Sequence, residues 1–185
     1  MAAYRLDHFI SDLEFVLAAA GSESDVLQAV APLAQKFAAE MTPPAADDFT
    51  WHDKYGMGDL ELYQAPDDGL FIALGAWLPG FGVPPHDHGT WTVVVGLEGE
   101  ELNTLWRRRD DGSRPGFAEI DKLETTRLGP GQVLAMTTED IHSVDNGGAE
   151  VSYTLHVYGR NLETSGRRQY DPEAQTVRLV AYDLT

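Results

Sequence analysis

Along the first forty residues, apolar side chains recur every three or four positions. Leu6, Phe9, Ile10, Leu13, Val16 and Leu17 fall on one stripe, which predicts an amphipathic helix that needs a surface to pack on. Gly21 is expected to close it. Ser22, with Asp25 three residues on, reads as a partial capping box for a second helix, continued by Val26, Val30, Leu33, Phe37 and Ala38. Pro32 interrupts that pattern, so the second helix is expected to bend or to start late. Met41 to Asp48 is a linker by composition.

From about Phe49 the period changes to short runs of Val, Ile, Thr, Tyr, Trp and Phe between Gly, Pro and Asp clusters, the pattern of an all-β sandwich or barrel. Strands are expected at Leu60–Tyr63, Leu70–Trp77, Trp91–Leu97, Glu101–Arg108, Phe117–Leu128, Gln132–Met136, Ile141–Asn146, Val151–Tyr158 and Val177–Tyr182. Helices first and strands after argue against a parallel α/β sheet. The expected fold is mainly β: a helical segment, residues 1–45, packing on a β-barrel domain, residues 46–185.

Length and composition bound the function. With 185 residues, 43% of them hydrophobic, the chain supports one filled core. A formal charge of -17 repels nucleic acid and anionic membrane surfaces, so neither is an expected partner. The start, Met1 to Asp7, lacks the features of a signal peptide, and no apolar run approaches the roughly 20 residues of a spanning helix, so a cytoplasmic protein is expected. Without cysteine there is no disulfide, no thiolate nucleophile and no cysteine-held zinc; a metal has to rely on His, carboxylate and water.

His86 and His88 flank Asp87 and, in extended backbone, project to the same side while Asp87 faces away. Alone they are a weak signal, equally open to a structural or surface pair. His142, in Ile141-His142-Ser143-Val144-Asp145-Asn146, offers a third imidazole, and three neutral imidazoles on a barrel wall suit a divalent metal with positions left open for substrate.

These residues resemble the cupin superfamily. Its first motif corresponds to His86, His88, Thr92 or Val93, and Gly99, and its second to Gly131, His142 and Asn146. Thr92 and Val93 stand where many cupins have Glu, which leaves a three-histidine site. The resemblance implies a double-stranded β-helix, or jelly-roll barrel. His-Asp-His-Gly-Thr-Trp and Thr154-Leu155-His156-Val157-Tyr158 narrow it to the thiol dioxygenases related to cysteine dioxygenase and 3-mercaptopropionate dioxygenase.

That resemblance implies iron(II) on His86, His88 and His142, with zinc or nickel as other metals for a purified sample, and oxidation of a small thiol by dioxygen to its sulfinic acid. It also implies a relay in which Thr154 fixes the His156 tautomer and His156 orients the Tyr158 hydroxyl; a plain core strand is the alternative. Val93 replaces the Cys that some relatives join to this Tyr, so no such crosslink is possible.

The Arg that grips a carboxylate in amino-acid-oxidising relatives has no counterpart in Asp59-Leu60-Glu61-Leu62-Tyr63, where Glu61 would instead welcome an amine. Arg168 is the candidate carboxylate partner by analogy with mercaptopropionate-type relatives, against an ordinary surface Arg paired to an acid. Trp91 is a candidate pocket residue. Arg107 to Arg109, followed by two Asp, read as a solvated hairpin tip, and His8 and His52 as lying outside the site. Three rivals stay open: another three-histidine dioxygenase, a zinc hydrolase, and a non-catalytic ligand-binding cupin. Monomer and homodimer are equally compatible with the sequence.

Overall fold

The computed structural model describes residues 4–180. Helices α1 (Leu6–Ala19) and α2 (Glu23–Ala38) precede twelve strands. These are β1 (Thr50–His52), β2 (Met57–Gln64), β3 (Phe71–Trp77), β4 (Gly82–His86), β5 (Thr92–Glu98) and β6 (Glu101–Arg108). There follow β7 (Ile120–Leu128), β8 (Val133–Met136), β9 (Ile141–Asp145), β10 (Ser152–Tyr158), β11 (Arg168–Asp171) and β12 (Thr176–Leu179). Two antiparallel six-stranded sheets result, in the orders β1-β2-β3-β10-β5-β8 and β12-β11-β4-β9-β6-β7. The central strands pass back and forth between the sheets, β3 in one, β4 in the other, β5 back in the first, which is the winding of a double-stranded β-helix.

Ser22 caps α2 as expected, its hydroxyl accepting from the Asp25 amide at 3.2 Å. The helix does not start late; it begins at Glu23 and continues past Pro32. The first helix ends in extended backbone at Ala20, with no left-handed turn at Gly21. Three strands lie outside the expected set: β1, β4 and β11. Two prolines hide β4 from a propensity reading, and its register with β9 is irregular between Val83 and His86. The last strand ends at Leu179; Ala181 and Tyr182 of the expected strand, like Met1 to Ala3, lie outside the described residues.

The first sheet is covered on both faces. On β3 and β10, Ile72, Leu74, Ala76, Leu155 and Val157 point outward into one core with Phe9, Leu13, Val30, Ala34 and Phe37 of the helices. Phe9 and Phe37 stack at 4.5 Å between ring centroids. The opposite, inward faces of the same strands carry Phe71, Ala73, Gly75 and Trp77 on β3 and Thr154, His156 and Tyr158 on β10. With the helices taking the apolar face, the barrel interior is free to hold polar groups.

Candidate metal centre

His86 ends β4 and pairs directly across the ladder with His142 on β9, while His88 follows two residues later in the turn. All three rings are buried, and their ligand nitrogens lie within 4.8 Å of one another. The His88 and His142 Nε2 atoms are 3.4 Å apart. Two nitrogens bound at about 2.1 Å to one tetrahedral ion stand about that far apart, so the donor set fits a metal ion.

The second ring nitrogens of His86 and His142 fix their tautomers. His86 Nδ1–H donates to the Pro84 carbonyl at 3.0 Å, and His142 Nδ1–H to the Asn103 side-chain oxygen at 2.9 Å, so each keeps an Nε2 lone pair for a cation. Burial, and then the positive charge of neighbouring groups, hold the pKa values well below the ordinary imidazole range, to about 3 for His86. Neutral rings are the ligating form.

Beside the triad the three residues of the expected relay are hydrogen-bonded in series. Thr154 Oγ1 lies 2.8 Å from His156 Nε2, and His156 Nδ1 2.8 Å from the Tyr158 hydroxyl. Burial lowers the His156 pKa to about 4, so its ring is neutral, one nitrogen donating and the other accepting. The Tyr158 ring centroid is 5.2 Å from that of His88. Gly75, opposite Thr154 on β3, leaves room for this ring: a Cβ there would fall 2.8 Å from His156 Nε2.

The triad, His156 and Tyr158 line one narrow cavity of about 60 Å³ together with Met57, Asp59, Trp77, Val83, Leu162 and Arg167, while Thr154 backs His156 from behind the lining. Arg168 does not line it. Its Nε and backbone N–H instead donate to Asp87, each at 2.9 Å, and Tyr170 donates to the same carboxylate at 2.8 Å. The side chains of a strand alternate, so the residue that faces the cavity from this segment is its neighbour Arg167. Glu61 is exposed; Asp59, two residues earlier, reaches the cavity and pairs with His52. Trp91 packs with the outer core and against Gly159, away from the cavity. Asn146 is structural, donating to the carbonyls of Trp77 and Glu150. Arg108 is held by Asp110 and Arg109 by Asp121.

Besides Arg167 and Asp59, two more residues of the site escaped the sequence reading. Asn103 supports His142, and its amide donates to Glu101 at 3.0 Å. Both sit on the inward face of β6, and only the pattern Glu101-x-Asn103 within an apolar strand signals them. Burial lifts the Glu101 pKa to about 7, opposed by the Asn103 amide and the Trp77 indole beside it.

No family model matches the chain. In fold it is similar to an oxalate oxidase in complex with the substrate analogue glycolate, at TM-score 0.49 and 16% identity, over 68% of this chain and 61% of that one. It is also similar to the cupin domain of Schizosaccharomyces pombe Cnp3 (TM-score 0.44, 12% identity, 56% of this chain and 64% of that one). A conserved protein of unknown function from Streptococcus pyogenes matches at TM-score 0.41 and 21% identity, over 56% of this chain and 74% of that one. The chain thus spans less than two thirds of the oxalate oxidase and of the Cnp3 cupin domain. Its own strand order is that of a double-stranded β-helix. Among the described residues no helix is long and apolar enough to cross a membrane.

Proposed function

We propose that this chain is an iron(II)-dependent dioxygenase that converts a small, carboxylate-bearing thiol to its sulfinic acid. The observation that carries the reading is the meeting of three elements at one cavity: three neutral imidazoles, the His156–Tyr158 pair backed by Thr154, and the Arg167 guanidinium. His86, His88 and His142 would hold the metal. Held by neutral ligands alone, iron(II) supplies an undiminished +2 charge, which favours a thiolate partner, and redox chemistry at open positions. The overall change, R–S⁻ plus O₂ giving R–SO₂⁻, places both oxygen atoms in the product and needs no other oxidant.

The residues of the chain divide the remaining work. Arg167 binds the substrate carboxylate and orients its sulfur toward the histidines. Thr154 donates its hydroxyl proton to His156 Nε2, which leaves His156 Nδ1–H to donate to Tyr158. The Tyr158 O–H is then directed into the cavity, where it donates to the reacting centre. Leu162, Val83 and Met57 give the cavity apolar walls around the reacting centre. A small thiol and dioxygen are the proposed partners; nucleic acid and membrane are not.

The test loads the metal-free protein with iron(II) under anaerobic conditions and follows dioxygen uptake and sulfinate formation with a thiol panel. Expected is uptake of one dioxygen per thiol with short mercapto acids and little with thiols lacking the carboxylate. Arg167→Met is expected to raise KM about 10–100-fold, the loss of one charge-assisted hydrogen-bonded contact. Tyr158→Phe is expected to lower kcat by about 10²-fold with metal content unchanged. Iron-loaded protein that consumes no dioxygen with any thiol sinks the proposal, and hydrolytic activity with zinc favours the rival hydrolase.

A further inference from the structure

Two carboxylates are buried among the described residues, Asp87 and Glu101, each 1% exposed. Asp87 is satisfied by Arg168 and Tyr170. Glu101 has no ion pair among the described residues: Oε1 accepts from Asn103, and Oε2 is outside hydrogen-bonding geometry, as is the Trp77 indole nitrogen. A carboxyl group kept from water without a cation is costly to the fold, so its effect on Asn103 is informative.

That partner is an amide whose two ends are nearly alike in shape. Glu101 Oε1 accepts the Asn103 Nδ2–H, which leaves Asn103 Oδ1 facing His142 Nδ1. An oxygen facing His142 Nδ1 requires the proton to sit on Nδ1. With the amide reversed, an N–H would face Nδ1, the ring proton would move to Nε2, and the lone pair shared with His86 and His88 would be lost.

We propose that Glu101 is a positioning residue: through Asn103 it selects the His142 tautomer that presents Nε2 to a metal. This rests on His142 being a metal ligand. It assigns to β6 a carboxylate–amide–histidine series in which the carboxylate acts from outside the cavity and touches neither metal nor substrate.

The experiment uses the full chain labelled with ¹⁵N-histidine. Long-range proton–nitrogen spectra of the metal-free protein report which His142 nitrogen is protonated, and cobalt(II) titration reports affinity and ligand field. In the wild type and in Glu101→Gln, whose side-chain oxygen still accepts, His142 is expected to carry its proton on Nδ1. In Glu101→Met a mixture of tautomers is expected, with cobalt(II) affinity lower by about 10–100-fold. A purely packing role would lower the melting temperature while leaving tautomer and cobalt spectrum unchanged, and that result in Glu101→Met overturns the proposal. Should Glu101→Met not fold, Asn103→Leu serves, which offers His142 Nδ1 no acceptor, since an unchanged His142 tautomer there is equally fatal. A wild-type protein that binds no cobalt(II) overturns the metal reading itself, and the tautomer comparison still decides the relay.

Discussion

His156 shows how burial and hydrogen bonding prepare one side chain. Its pKa is lowered by burial to about 4 from an ordinary 6.5, so the unfolded chain takes up a proton in that window that the folded chain refuses. Stability from keeping the ring neutral is complete above pH 6.5 and is lost as pH falls through 6.5 toward 4, at about 1.4 kcal/mol per pH unit. Gln carries no titratable group. Urea denaturation of His156→Gln and wild type between pH 7 and pH 5 is therefore expected to give a shallower acid-side decline for the variant, and coincident slopes would show that the ring is not held neutral by the fold.

At the scale of elements, the segment from His86 to His88 is positioned by strand pairing on one side and by a single carboxylate on the other. Asp87 N–H donates to the Arg168 carbonyl at 3.0 Å, and its carboxylate accepts from Arg168 and Tyr170, so β11 is fastened to the segment between two histidines of the candidate metal centre. The same fastening sets Arg167 at the cavity. Asp87→Ala leaves the buried Tyr170 hydroxyl and the Arg168 guanidinium without their acceptor, for an expected loss of about 1–3 kcal/mol. Calorimetry should show the lowered melting temperature, and the variant should also raise KM for a carboxylate-bearing thiol. A stable variant with unchanged KM would mean that β11 is held by its backbone ladder alone.

For the whole molecule, the helices and the barrel interior are complementary. Because α1 and α2 take the apolar face of the first sheet, the inward face can spend its positions on Thr154, His156 and Tyr158 instead of on Val and Leu. Phe37→Ala, removing one half of the stacked Phe9–Phe37 pair, is expected to destabilise the protein by about 3–5 kcal/mol. A metal that binds only the folded state adds RT ln(1 + [L]/Kd), about 2.7 kcal/mol at a hundredfold excess over Kd, so chelation should lower the melting temperature in wild type and leave that of His142→Ala unmoved.

Local chemistry was readable in the sequence wherever the governing distances are short along the chain. The helical stripe, the Ser22 cap, most strands and the spacing of His86 and His88 follow from periods of 3.6 and 2, and so does the common face of Thr154, His156 and Tyr158. What only the tertiary structure decided are pairings between residues far apart. Prolines concealed β4, whose ladder comes from β9; nothing local distinguishes Arg167 from Arg168, because the face each presents is set by the Asp87 contact across 81 positions. Glu101 and Asn103 gain meaning only from His142, 39 residues beyond Asn103, since a hydrogen bond across strands depends on register, and register is fixed by the packed sheet as a whole.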